Sequence, residues 1–241
     1  MLGRVVWITA GLLAATVPAT AGMGHRYGRA AGVRFALGAM AGVLAQQSLV
    51  AVAAQRKGAS LTRVDAMTLS RGLAAALLVG LLASRVRRRN GFAGWVGWSA
   101  MVYGSIVCDW LDGPIARRMN ATSDLGAMLD LESDSWLTLV AGASATAWGG
   151  LPAYCLAAPL VRYVLLLAAL PKIPYPEIYV GEPPWARQTG IAQGALFTAA
   201  LAPFGGRATR LALRIATPIV APLQLMVMML LCRRLQRRYA A

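Results

Sequence analysis

Apolar runs of about 20 residues, the length that a membrane-spanning helix needs, recur along this chain. The runs are rich in Ala, Leu and Gly and are too long for strands. Hydrophobic residues make up 58% of the chain and charged residues only 14%, whereas an ordinary soluble domain is about 25% charged. The sequence therefore predicts an all-α integral membrane protein.

We predict eight spans, joined by short polar or glycine- and proline-containing segments. A polar link is expected at 23–29, a basic interfacial segment at 55–65 and a proline-rich loop at 171–187. The first span is interpreted as a retained helix, with a cleaved signal peptide as the alternative. The predicted spans are Val5–Gly22, Phe35–Ala54, Ala66–Ser84, one running from near Gly94 into an acidic stretch, and about 124–148, 153–170, 188–204 and 211–232.

The net charge of +15 comes mainly from arginines clustered at the ends of apolar runs. This placement favours anionic lipid headgroups over nucleic acid as the partner. An even number of spans puts both termini on the same side of the membrane. The basic C-terminal tail indicates that this side is the cytoplasm. The same topology leaves Arg85–Arg89 outside, against the usual positive-inside distribution.

The stretch Cys108–Asp134 holds six of the chain's nine acidic residues. On a helix, Asp109 and Asp112 share a face, and so do Asp130 and Asp134. Carboxylates gathered in a membrane protein are costly unless cations compensate them. Hard oxygen ligands select Mg²⁺, Mn²⁺ or Ca²⁺, and two such ions can clamp a phosphate.

Small and basic residues accompany these carboxylates. Gly113 allows close approach of a bulky ligand, and Arg117 is spaced to neutralise a phosphate. Gly126 lies on the face of Asp130 and Asp134, whereas Glu132 points away from that face and is interpreted as peripheral. The residues alone therefore predict a metal-dependent site for a phosphorylated substrate at the membrane surface.

The acidic stretch resembles the signature of the class I CDP-alcohol phosphatidyltransferase family. The matching positions are Asp109-x-x-Asp112-Gly113-x-x-Ala116-Arg117, then eight residues, then Gly126-x-x-x-Asp130-x-x-x-Asp134. The resemblance implies a six-helix bundle at 66–232. About two extra membrane helices precede it in an extension at 1–65, and a basic cytoplasmic tail follows at 233–241.

The resemblance also implies a reaction, in which an acceptor hydroxyl attacks the β-phosphorus of CDP-diacylglycerol and CMP leaves. Two Mg²⁺ or Mn²⁺ ions would be held by the four motif aspartates, with Asp134 as general base. Contacts to the CDP moiety are expected from four residues, Gly113, Ala116, Arg117 and Thr68. A homodimer in the inner or plasma membrane, with the site facing the cytoplasm, is also implied.

The acceptor alcohol is left open, with glycerol 3-phosphate and inositol phosphate types favoured. Arg162, charged inside an apolar run, is the best candidate for a phosphate contact, and structural pairing is the alternative. Further candidates for acceptor or phosphate contacts are Arg71, Gly126 and Arg187.

A second hypothesis is a divalent-cation transporter that uses the carboxylates as a pathway. It predicts acidic residues spread over several spans at the midplane of the membrane. The cluster instead lies on two adjacent predicted helices together with Gly113 and Arg117, which a cation pathway does not need. This pattern favours the enzyme.

Overall fold

The computed structural model describes residues 2–57, 63–86, 103–104, 124–169, 185–202 and 206–239. Over these ranges every regular element is helical, which confirms the all-α prediction. A short 3-10 helix, Ala153–Leu156, leads into the fifth α-helix. The α-helices described over more than a few residues are α1 (Leu2–Tyr27), α2 (Arg29–Lys57), α3 (Arg63–Ser84), α4 (Asp124–Trp148), α5 (Ala157–Ala169), α6 (Ala186–Leu201) and α7 (Arg207–Tyr239).

A single residue, Gly28, connects α1 to α2. Its φ of 89° lies in the left-handed region that glycine adopts at little cost, and its N–H donates to the Gly24 carbonyl at 3.0 Å. The polar link predicted at 23–29 is therefore wrong in extent, because helix continues to Tyr27. Beside this turn, a Cβ on Gly32 would lie 2.8 Å from the Cα of Gly24, so the two helices pack there through glycine.

Small residues also allow α2 and α3 to pack closely. A Cβ on Gly38 would lie 2.6 Å from the Cβ of Ala83, and one on Gly42 would lie 2.9 Å from the Cα of Ala76. Both distances are shorter than real contacts allow, so only glycine fits. Such small-residue faces let helix backbones approach each other in a membrane, where packing rather than the hydrophobic effect drives association.

The third helix ends at a residue with an uncommon backbone conformation. Arg85 has a φ of 56°, in the left-handed region where side chains are disfavoured. Ser84 supports this end, since its hydroxyl donates to the Leu81 carbonyl at 2.6 Å and accepts from the Val86 N–H at 3.3 Å. A serine side chain thus satisfies backbone groups where the helix stops.

The chain divides into two compact units, residues 1–140 and 141–241, with the boundary inside α4. In the C-terminal unit α5, α6 and α7 pack together through a buried cluster of Ala158, Ala186, Val227 and Met228. The amide of Gln193 on α6 donates to the Cys155 carbonyl of the 3-10 helix at 3.2 Å. This hydrogen bond ties α6 to the segment that precedes α5.

The fourth helix ends close to the predicted break. Gly150 has a φ of 74°, and the N–H of Leu151 donates back to the Ala145 carbonyl at 3.3 Å. A glycine in this conformation is a common way to end a helix. The predicted interval of about 124–148 is confirmed by the observed bounds, Asp124–Trp148.

Two described helices are long and apolar enough to cross a membrane, by length and composition. These segments are Val6–Tyr27 in α1 and Arg207–Arg237 in α7. Shorter apolar helices cover Gly72–Ser84 and Ala153–Ala168. The predicted fourth span and the proline-rich loop lie almost entirely outside the described residues.

The basic C-terminal segment is not separate from the last predicted span. Helix α7 extends past Cys232 without interruption and ends at Tyr239. The predicted end of the span at 232 followed the end of the apolar run. Arginine and leucine are good helix formers, so nothing in the segment stops the helix there.

Candidate functional site

The third and fourth motif aspartates lie on α4. Helix α4 begins at Asp124, and its uninterrupted turns place Asp130 and Asp134 one turn apart on one face. Both side chains are half-buried, and Asp130 lies between a fully buried Leu129 and an exposed Leu131. A carboxylate pair at the edge of a buried helix face is accessible to a ligand while remaining partly shielded from water.

Helix α4 also buries a carboxylate that the motif does not include. Glu132 is only 6% exposed and the adjacent Ser133 only 2%. This burial does not test the interpretation of Glu132 as peripheral to the motif, and its register does place it away from the Asp130 face. Helical periodicity predicted that this side chain points away from Asp130. Only the packing of the neighbouring residues shows that this side of α4 is buried.

The described carboxylates fit part of a divalent-cation site. Asp130 and Asp134 supply oxygen donors of the kind that Mg²⁺ and Mn²⁺ prefer. Among the described residues no three acidic, histidine or cysteine side chains form a group that could hold a metal. The first two motif aspartates, Asp109 and Asp112, lie outside the described residues, as do Gly113, Ala116 and Arg117.

Helix α3 includes the positions of Thr68 and Arg71, the predicted upstream contacts. The next residue, Gly72, is buried against α2. A Cβ at this position would overlap the side-chain carboxamide of Gln46, so the glycine makes room for that amide. Position 68 lies one helical turn before Gly72 and on the same face of α3.

Two buried glutamines on α2 were missed by the sequence analysis. Gln46 is 3% exposed and Gln47 is 4% exposed. None of their four amide nitrogen and oxygen atoms has a hydrogen-bond partner in the part of the chain that the structure describes. The available signal was a pair of amides inside an otherwise apolar run, Phe35–Ala54.

Two of the candidate cations for the acceptor belong to the C-terminal unit, whereas the position of Arg71 is on α3. Arg162 is half-buried within α5, and Arg187 is exposed in the first turn of α6. Each directly follows a residue of one apolar cluster, Val161 and Ala186 respectively. The two arginine positions therefore lie on adjoining helices of this unit.

A family model described as CDP-alcohol phosphatidyltransferase matches residues 61–233, more than two thirds of the chain. The matched region begins just before α3 and ends within α7, so it contains all positions of the acidic motif. Helices α1 and α2 lie before it. Neither a curated protein nor a solved structure matches the chain.

Proposed function

Because the chain belongs to the CDP-alcohol phosphatidyltransferase family, we propose that it transfers a phosphatidyl group from CDP-diacylglycerol to a hydroxyl of a small polyol or polyol phosphate. CMP is the second product. The observation that carries this proposal is the pair Asp130 and Asp134 on one face of α4, at the motif spacing and inside the matched region. The acceptor types that we favour are glycerol 3-phosphate and inositol phosphate.

Four aspartates would hold the divalent cations, Mg²⁺ or Mn²⁺: Asp109, Asp112, Asp130 and Asp134. When bound, the cations supply positive charge that stabilises the negative charge on the phosphoryl oxygens. The partial burial of Asp130 and Asp134 supports this role, because it strengthens their electrostatic interactions relative to bulk water.

Asp134 serves as the general base. It accepts the proton of the acceptor hydroxyl while the hydroxyl oxygen attacks the β-phosphorus of the donor. A new P–O bond forms to the acceptor, and the bond from this phosphorus to the oxygen bridging to CMP breaks. Arg117 pairs with the diphosphate, and Gly113 and Ala116 leave room for it, with Thr68 as a further contact to the CDP moiety.

The acceptor phosphate, where the acceptor carries one, is bound by arginines. Arg162 is the first candidate because a charged side chain inside an apolar helix is by default a candidate for function. Arg187 and Arg71 are further candidates, and Gly126 provides space beside the carboxylates. We place the protein in the inner or plasma membrane as a multi-pass homodimer, with the site open to the cytoplasm.

The proposal is tested by CMP release from CDP-diacylglycerol. The purified protein is assayed with Mg²⁺ or Mn²⁺ and with glycerol 3-phosphate, inositol phosphate, glycerol and inositol in turn, and the lipid products are identified by mass spectrometry. We expect CMP and one new phospholipid to form with one acceptor. No CMP with any acceptor, together with metal uptake into proteoliposomes, would identify the cation transporter instead.

The role of Asp134 is tested by Asp134→Asn. We expect turnover to fall at least a hundredfold, since general bases contribute roughly 10²- to 10⁴-fold, while binding of the CDP moiety is retained. The matched control is Ser135→Ala, which removes only a hydroxyl that donates to the Leu131 carbonyl one turn earlier. Full turnover in Asp134→Asn would reject the assigned base.

A further inference from the structure

The N-terminal unit buries two adjacent carboxamides without protein partners among the described residues. Gln46 and Gln47 lie on α2, and their exposed fractions are only 3% and 4%. Within the described residues neither amide donates or accepts a hydrogen bond. A buried polar group without a partner loses its hydration and gains nothing in return, so such groups in native proteins call for an explanation.

No structural link among the described residues accounts for these amides. A third fully buried glutamine in the described part of the chain, Gln193, donates to the Cys155 carbonyl and so links two elements of the C-terminal unit. Gln46 and Gln47 make no such link among the described residues. A bound molecule that supplies the missing hydrogen bonds would explain why polar residues are placed here.

The position of Gln46 connects it with the proposed site. Its carboxamide lies over Gly72 on α3, in a space that any Cβ at this position would fill. Position 68, a proposed contact to the CDP moiety, lies one turn away on the same face of α3. Helix α2, which lies before the family match, thus adds polar groups beside a helix of the matched region.

The chemistry of the two amides selects the kind of ligand. A carboxamide is uncharged and both donates and accepts hydrogen bonds, which suits hydroxyl groups better than phosphates or metal ions. Side chains at successive helix positions point about 100° apart. Two such amides match hydroxyls that project in several directions better than they match the single edge of a planar base.

We propose that Gln46 and Gln47 form a binding element for hydroxyl groups of the acceptor alcohol, so that the N-terminal helices take part in acceptor selection. This inference rests on the proposed transferase function. It gives the segment before the family match a role in the reaction. The amides contact hydroxyls of the polyol that do not react.

The test compares Gln46→Met and Gln47→Met with the wild-type protein. Methionine is unbranched and of similar volume, so it removes the amide without opening a large cavity. We expect the KM for the acceptor to rise about tenfold or more, as the loss of roughly 1.4 kcal/mol of binding would produce, while the KM for CDP-diacylglycerol stays within twofold. The control is Gln236→Met, at an exposed position on α7.

Thermal unfolding supplies a measurement that does not require turnover. The acceptor that supports CMP release, or each polyol in turn if none does, should raise the melting temperature of the wild type and of Gln236→Met more than that of the two buried variants at the same concentration. Without ligand, Gln46→Met should melt at or above the wild-type temperature, because an unsatisfied amide is replaced by an apolar group.

Each other outcome rejects the inference in a recognisable way. A rise in the KM for CDP-diacylglycerol would assign the amides to the donor, and a lower melting temperature without ligand would make them structural. Unchanged constants in an active enzyme would reject the inference alone. If the wild type releases no CMP with any acceptor, the proposed transferase function is rejected. A polyol-dependent melting shift that is equally large in the variants would then also reject the amides as a binding element.

Discussion

The N-terminal helices α1–α3 and the C-terminal helices α5–α7 both bury glutamine side chains, but the hydrogen bonding of these amides differs between the two regions. The amide of Gln193 donates to the Cys155 carbonyl, whereas no amide atom of Gln46 or Gln47 has a partner among the described residues. In the C-terminal region only part of one amide is in that state among the described residues, the Oε1 of Gln224 on α7. The first arrangement stabilises the fold by itself. The second leaves two desolvated amides in the folded protein, and a ligand that hydrogen-bonded to them would remove that cost.

The two regions also differ in how their helices meet. In the N-terminal unit, glycines bring the backbones of α2 and α3 together, as at Gly38 and Gly42. In the C-terminal unit a Cβ on Gly149 would also lie 2.9 Å from the Ala200 carbonyl oxygen, but α5, α6 and α7 meet through a side-chain cluster that includes Val227 and Met228. Close backbone packing tolerates larger residues poorly, whereas packing between side chains can adjust.

The largest effect is expected from Gly38→Leu. Its Cβ would lie 2.6 Å from the Cβ of Ala83 and 2.9 Å from the Val79 carbonyl oxygen, so α2 and α3 would have to separate. We expect a loss of about 3 kcal/mol, measured as a lower melting temperature in detergent. The control is Gly11→Leu, where a Cβ would meet nothing within 4 Å in the described part of the chain. Equal melting of the two variants would contradict close packing at Gly38.

A smaller loss is expected from Gln193→Leu, which leaves the Cys155 carbonyl without its donor. Losing one partner of a buried hydrogen bond costs about 1–3 kcal/mol, and thermal unfolding measures the change. The comparison with Gln46→Met is the informative one, because that variant should lose no stability without ligand. If both variants were destabilised alike, the contrast between the two regions would not hold.

The smallest effect, a gain, is expected from Arg85→Gly. Relief of the left-handed backbone at the end of α3 should stabilise the protein by about 1 kcal/mol. Arg85→Ala keeps the disfavoured conformation and should show no such gain. The melting temperatures of the two variants are compared under the same conditions. A gain of stability in the alanine variant would attribute the effect to the loss of the arginine charge rather than to the backbone conformation.

The sequence predicted the ends of helices where residues that favour a turn, such as glycine, follow the helix. The turn residues Gly149 and Gly150 marked the end of α4, and the spacing of Asp130 and Asp134 predicted their shared face. It failed where the apolar pattern ended but the helix did not, as after Cys232, because arginine is polar and still a good helix former.

Features that depend on contacts between distant segments could not be predicted in the same way. The burial of Glu132 depends on which elements surround α4, and the register of one helix does not contain that information. The position of the Gln46 carboxamide over Gly72 likewise requires the relative placement of α2 and α3. The proposed catalytic motif could be recognised from the sequence alone, because its residues have a fixed spacing within one short segment.

Helix α7 has a consequence for how deeply the protein sits in a bilayer. Three arginines, Arg207, Arg210 and Arg214, lie near its start and four more, Arg233, Arg234, Arg237 and Arg238, near its end. Arg214 and Arg233 are separated by about 28 Å of helix at 1.5 Å per residue, close to the hydrocarbon thickness of roughly 30 Å. The spacing of these arginines therefore restricts the depth of the helix in the bilayer. Sliding it by one turn in either direction would draw a guanidinium into the lipid interior.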